Sequence, residues 1–312
     1  MLRRVLERFA VSLGVVFGAV TLIFLVLNWL PGDSALLIAG EDASPETVQQ
    51  LRVKLGTDRS LGSQYRSYLA GVVQGDLGTS YTTREPVFRR LAAQLPSTLV
   101  LTFSACTVAV ALGITLGVLS VLYRGRGLDQ AIQSVSLFVH SMPTFWLGML
   151  LILVFSVQLG WLPVIGNGGL LPSVLPVVTL GIWLSVPLQR MVRDGMLDGL
   201  HEPYVTTLRA KGLGERRIFF VHVLRNALTS TITLLGVMIG ESLSNAVIIE
   251  TLFARQGIGR TTVEAIGQKD IPVVQGAILL ASVAYVAVNL LVDLSYTLVD
   301  PRTRLVTSKG TR

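Results

Sequence analysis

The chain has 312 residues, half of them apolar (51%), only 14% charged, with a formal surplus of +7 at neutral pH. Soluble domains carry about a quarter charged residues, so this much apolar sequence must bury against lipid rather than in one water-facing core. The surplus is not a nucleic-acid footprint, because the basic residues lie between apolar runs and are not interleaved with aromatics on a polar face. One cysteine, Cys106, and three scattered histidines exclude an internal disulfide and offer no metal-ligand cluster.

Arg3, Arg4 and Arg8 open the chain, and an apolar run follows from Phe9 to Leu30. That run is long enough to span, longer than the core of a signal peptide, and ends in Leu30-Pro31-Gly32-Asp33 rather than a small-x-small cleavage site. We read it as a retained first helix. Residues 31–94 follow as a small extracytoplasmic subdomain. Ser44-Pro45-Glu46 is a helix start, with proline in the first turn. Leu51, Leu55, Tyr65, Tyr68, Leu69 and Val72 have apolar helical spacing, and Gly75-Asp76-Leu77-Gly78 marks a turn.

Further apolar runs lie at 97–122, 135–160, 172–192, 229–251 and 274–299, each long enough to cross the hydrocarbon core. A turn cluster from Pro163 through Gly166, Asn167, Gly168 and Gly169 to Pro172 separates the third run from the fourth. Lys and Arg set the orientation. With the N-terminus inside, Arg124, Arg126, the dense set from Arg190 to Arg225, and Arg302, Arg304, Lys309 and Arg312 all fall on the cytoplasmic side. Segment 158–172 carries no charge, and the long segment 31–96 balances its basic residues with acidic ones. The reading is an all-α polytopic membrane protein with about six spans, both termini inside. It divides into helix 1–30, subdomain 31–94, a five-helix core over 95–305, and a tail at 306–312.

The most informative stretch is the inside loop of about 200–226. Tyr204 to Lys211 forms a short helix with Pro203 at its start and Gly212 at its end, and Glu215 to Arg225 forms a second. On residues alone this is either a basic tether at the membrane surface, the commoner use of such loops, or a compact docking knob. No Gly-x-x-x-x-Gly-Lys-Ser/Thr phosphate loop is present and no lysine directly follows a glycine, so any energy source is another chain or an ion gradient.

Here a resemblance becomes specific. Tyr204, Val205, Arg209, Ala210, Lys211, Gly212 and Leu213, followed by Arg216, His222, Leu224, Arg225 and Asn226, resemble the "EAA" coupling loop of binding-protein-dependent ABC importers. The match is to their oligopeptide, dipeptide and nickel permease family. Departures are Leu208, where a small residue is usual, and Thr206, where Arg is frequent. Leu30-Pro31-Gly32-Asp33, Gln64, Tyr65, Gly75 to Ser80, and Ser141-Met142-Pro143-Thr144-Phe145-Trp146 are similar to segments of that family in the same order. So are Glu250-Thr251, Gly257-Ile258-Gly259-Arg260, Asp270, Pro272 to Gly276, Asn289 to Asp293 and Asp300-Pro301-Arg302. The resemblance implies the type I ABC-importer permease fold in the cell membrane of a bacterium or archaeon. It implies a transport subunit rather than an enzyme, with no cofactor of its own, ATP and Mg being held by a partner ATPase. The implied partners are a second permease, two ATPase subunits, an extracytoplasmic solute-binding protein and the bilayer. Short peptides are the implied cargo, with nickel or a metal chelate as the alternative.

Ionisable residues inside spans are functional candidates by default. Glu241 falls mid-span, and Ser244 and Asn245 lie three and four residues later on the same face. We read these as translocation path, with helix–helix hydrogen bonding as the other use of Ser244 and Asn245. In peptide permeases of the resembled family glycine is usual at the depth of Glu241, and a glutamate there is the feature pointing toward nickel. His140, Ser141 and Pro143 are further path candidates, although a lone histidine is more often a helix contact, and Pro143 is expected to kink its helix. Glu250, on the side away from Glu241, and Gly257, Gly259, Arg260 and Asp270, in a re-entrant or external loop, are candidates for a gate or binding-protein contact. Asp293 and Asn289 are expected to pair with Arg190 or Arg193.

Two other classes compete. An ion-driven carrier or channel would show inverted repeats or paired broken helices, and none is read in the sequence. An intramembrane enzyme is disfavoured because neither His-Glu-x-x-His nor Gly-x-Ser-x-Gly occurs, His201-Glu202 lacking the second histidine.

Overall fold

The computed structural model describes residues 2–29, 34–40, 43–165 and 169–299, with side chains of 2–9, 34, 37, 230, 232, 233, 235 and 291–299 outside that description. The Leu30-Pro31-Gly32-Asp33 signature, Gly166 to Gly168 of the turn cluster, Asp300-Pro301-Arg302 and the 306–312 tail therefore lie outside the described residues. The described chain is helical, interrupted by one isolated bridge between Thr79 and Pro86.

Thirteen helices are described. Four of them hold apolar stretches long enough to cross a bilayer: α1 (Leu2–Trp29), α5 (Val87–Leu122), α8 (Leu171–His201) and α13 (Ile271–Val299). The run expected at 135–160 is not one straight span. It divides between α6 (Gly127–Ser141) and α7 (Thr144–Leu151, continuing with π geometry to Gln158), whose axes meet at 110°. Pro143 is the cause: it donates no hydrogen bond, so the amide of Met142 closes α6 on Val139 O at 3.2 Å. The run at 229–251 falls within α11 (Leu224–Leu252), which continues without a break from α10 (Glu215–Arg217) through a π-helical stretch, Ile218–Val223. The short elements are α2 (Ser34–Ala39), α3 (Pro45–Leu55), α4 (Leu61–Gln74), α9 (Pro203–Ala210) and α12 (Ile258–Gly267).

The helices form two compact units. One comprises residues 1–98 with 256–286, so the chain returns to its N-terminal unit after Arg255. Ser44 caps α3, its Oγ accepting from Thr47 N at 3.3 Å, and Gly56 and Gly75 end α3 and α4 in the left-handed conformation. Tyr65 and Tyr68 on α4 pack against Phe24 of α1, with ring centroids 5.1 and 5.7 Å away. The buried core joins Ile23, Val87 and Leu91 to Ile258, Ala265, Val273, Val274 and Ala277. Gly276 permits that packing, because a Cβ there would stand 2.6 Å from Val87 Cγ1.

The other unit, residues 99–255 with 287–312, is centred on α5, α8 and α11. Gly113 and Gly117, one turn apart on α5, face Leu188 and Val192 of α8, and Gly181 of α8 faces Val108 of α5. Built Cβ atoms at these glycines would lie 2.8, 2.9 and 2.7 Å from the facing side chains. Small residues four apart let helix backbones approach in lipid, where dispersion rather than hydrophobicity drives association. The Gly-x-x-x-Gly spacing is legible in the sequence, and is the signal for this crossing.

Candidate functional sites

The expected coupling knob is one short helix followed by the first turns of a long one, rather than two short helices. Glycine and proline are absent from Glu215 to Leu235, so nothing stops the second helix, which runs on into α11. Gly212, at φ 79°, closes α9 with paired bonds: Gly212 N to Arg209 O at 2.9 Å and Leu213 N to Leu208 O at 3.2 Å. Arg209 then forks onto Glu215 across the turn, with Nε–Oε1 at 2.7 Å and Nη2–Oε2 at 3.1 Å. That hydrogen bond holds the Glu215 carboxyl below, and the Arg209 guanidinium above, its ordinary pKa.

The knob has two faces. Val205, Ile218 and Val223 are fully buried with Val121, Val192, Met196 and Ala227, and Tyr204 and Leu213 pack beside them. Outward it presents Thr206, Arg209, Ala210, Lys211, Gly212 and Arg216, all exposed. Of the predicted coupling residues, Val205 is therefore an anchor and the polar ones form the surface.

Above the knob, α5, α6 and α8 are clasped by a buried polar cluster that sequence reasoning missed. Arg193 Nη2 lies 3.2 Å from Asp129 Oδ2, and its Nε donates to Ser120 Oγ at 3.0 Å and to Asp129 Oδ1 at 3.3 Å. Ser120 Oγ donates to Asp129 Oδ1, Gln133 Nε2 donates to Ser120 at 2.9 Å, and Gly125 N donates to Asp129 Oδ2 at 3.1 Å. Asp129 is a partner of Arg193 that was not expected; the expected pairing of Asp293 with Arg190 or Arg193 falls on a side chain outside the described residues. Asp129 reads in sequence as an ordinary acid in the first turn of a helix, which hides it.

On α11 the residues Val237, Glu241, Ser244, Ile248 and Thr251 form one exposed stripe, and Met238, Ser242, Ala246 and Ile249 are buried on the other side. Glu241 and Ser244 are at its middle. Asn245 stands at its edge, with Nδ2 donating to Glu241 O at 2.9 Å and Oδ1 accepting from Thr144 Oγ1 at 3.1 Å. The structure brings Asn245 together with the break between α6 and α7 and leaves Glu241 open. His140 packs its ring on Trp183 at 5.4 Å, Ser141 Oγ bonds Leu137 O at 2.8 Å, and Trp183 Nε1 donates to Met142 O at 3.3 Å. These contacts tie the break at Pro143 to α8.

The segment read as a re-entrant or external loop is largely α12. Ile258, Thr261 and Ala265 recur at helical spacing and are buried, and Thr98 Oγ1 accepts from Ile258 N at 2.9 Å. Asp270 is fully buried. It accepts from Ser80 Oγ at 2.5 Å and Tyr81 N at 3.0 Å, with Arg90 Nη1 at 3.8 Å, and so pins the turn after Gly78 to the start of α13. Glu250 is also fully buried. Neither carboxylate is on the surface for another protein to contact; Gly257 and Gly259 are buried too, and Arg260 is half-buried beside Glu264 at 2.7 Å.

Residues 109–305 match the model of the binding-protein-dependent transport system inner membrane component, and residues 1–102 match the N-terminal model of the same system. The chain belongs to this family. The glutathione transport system permease protein GsiC of Escherichia coli strain K12 is 37% identical over 304 residues, covering 97% of this chain and 99% of its own. The di/tripeptide transport system permease protein DppB of Pseudomonas aeruginosa is 38% identical over 333 residues, with 97% and 99% covered. In fold the chain is similar to the inward-facing MetNI methionine ABC transporter, with a TM-score of 0.56 at 19% identity over 68% of this chain and 96% of that one. A second neighbour is an amino acid ABC transporter, with a TM-score of 0.55 at 18% identity over 67% and 93%. The protein is thus an all-α, multi-pass permease of the bacterial inner membrane with the ABC-importer permease fold, a transport subunit and not an enzyme.

Proposed function

We propose that this permease subunit forms part of a peptide translocation path and takes its drive from a separate ATPase docked on the α9 knob. The observation that carries the reading is the knob's construction: an exposed helix end closed by Gly212 and the Arg209–Glu215 fork, on an inner face buried against α8. A flexible tether needs no such anchoring. Because α9 follows directly on α8, and the Asp129–Arg193 clasp joins α8 to α5 and α6, a push on the knob moves these helices as one body. The full reading has about six spans with both termini cytoplasmic. One knob per chain against an ATPase pair calls for a second permease, and an external binding protein delivers cargo. A photo-crosslinker replacing Ala210 is expected to capture the ATPase chain in the assembled complex; capture of lipid alone would restore the tether.

Peptide cargo is favoured over nickel because the relatives at 37–38% identity are named for glutathione and di/tripeptide transport. The α11 stripe supports a path role: a carboxylate facing lipid mid-span is costly, so Glu241 calls for water or another protein surface. Its charge would attract the α-ammonium of a peptide. Glu241→Gln is expected to lower uptake of peptides with a free N-terminus relative to N-acetylated ones, measured by competition in whole cells. Identical cargo profiles would remove Glu241 from the path.

A further inference from the structure

The N-terminal unit contains a cavity of about 620 Å³ that none of the transport roles above uses. Its apolar side is formed by Phe24 and Leu27 of α1 and by Ile271 of α13. The apolar stretch of α1 ends at Trp29 and that of α13 begins at Ile271, so the cavity sits where two spans leave the hydrocarbon on the subdomain's side. Its polar side carries Arg52, Arg59 and Tyr68 together with Asn28 and Gln275, and among the described residues that line it there is no carboxylate.

The Tyr68 hydroxyl is buried without a hydrogen-bond partner among the described residues. Burial is the main reason its pKa is pushed up to about 12, so it stays a donor. Two guanidiniums, the phenols of Tyr68 and Tyr81 and the three amides of Asn28, Gln64 and Gln275 thus line one chamber beside an apolar wall at interface depth. Guanidinium forks match phosphate oxygens, and arginine and tyrosine suit the headgroup level. The apolar surface that acyl chains would meet at the cavity is therefore Phe24 and Leu27 of α1 with Ile271 of α13.

We propose that this cavity binds the phosphate headgroup of an anionic phospholipid, its acyl chains leaving past the apolar wall of Phe24, Leu27 and Ile271. A free phosphate would use the same donors, and a peptide carboxylate is the other candidate anion. The full-length protein, purified in detergent, is incubated separately with phosphatidylglycerol, with phosphatidylcholine and with inorganic phosphate, and bound species are counted by native mass spectrometry. Phosphatidylglycerol is expected to be retained over phosphatidylcholine, and the Arg52→Gln/Arg59→Gln variant is expected to retain about tenfold less of it. Tyr68→Phe keeps the ring against Phe24 while removing the donor, and is expected to lower retention about threefold with an unchanged melting temperature. Equal retention by all three proteins would overturn the site. Inorganic phosphate that binds and is not displaced by phosphatidylglycerol, or a dipeptide that displaces the lipid, would overturn the lipid assignment.

Discussion

Replacing Gly212 by aspartate is expected to reduce uptake and transport-coupled ATP hydrolysis to background while membrane insertion stays intact. At φ 79° a residue with a Cβ carries a backbone cost of about 1 kcal/mol, and aspartate tolerates this conformation better than most. No heavy atom lies within 4 Å of a Cβ built there, so the side chain meets no neighbour within this chain. The fold therefore survives. What changes is the knob's tip, where a carboxylate appears beside Lys211 and Arg216, both exposed. If that tip docks in an ATPase groove, an added charge without a partner costs several-fold or more in association. Gly212→Ala separates backbone strain from charge and is expected to keep most of the uptake. Normal uptake by Gly212→Asp, with the protein at wild-type level in the membrane, would sink the docking role.

Arg193→Ala is expected to produce the largest loss of stability, about 3–5 kcal/mol, because it strands a buried carboxylate. The side chains of Arg193 and Asp129 are only 22% and 7% exposed, so water does little to compensate. Asp129→Asn keeps the shape but weakens the charge-assisted bonds, and is expected to cost less. Replacing both, with Asp129→Leu and Arg193→Met, is expected to recover much of the loss, because two fitted apolar side chains leave no orphaned charge. Thermal unfolding of the purified chain in detergent checks the series. An Arg193→Ala melting temperature equal to wild type would mean that the clasp does not hold α5, α6 and α8 together. Should the clasp transmit movement as well, variants that stay folded would show ATP hydrolysis uncoupled from uptake.

Much of the coupling element was legible because its signals are local. Pro203 starts α9 and Gly212 ends it within ten residues, and both features follow from the backbone freedom of one residue type. The second half was misread for the converse reason: a boundary was expected after Arg225, where no glycine or proline enforces one. The polar stripe on α11 was similarly accessible, since a 3.6-residue period places Glu241 and Ser244 together whatever surrounds them.

By itself the sequence determined the class of the protein. Long apolar runs admit no solution but helices in lipid, since every backbone donor and acceptor there must be satisfied within its own segment. Tertiary structure decided which charges meet. Arg193 had acids on several helices to choose from by depth, and only packing of α5 and α8 at Gly113, Gly117 and Gly181 selects Asp129, 64 residues away. Likewise Asp270 finds Ser80 at a separation of 190 residues, and the segment before it becomes α12 because a core waits for Ile258 and Ala265. A charge needs an opposite partner and an apolar face needs a cover, and neither requirement states where along the chain the partner lies.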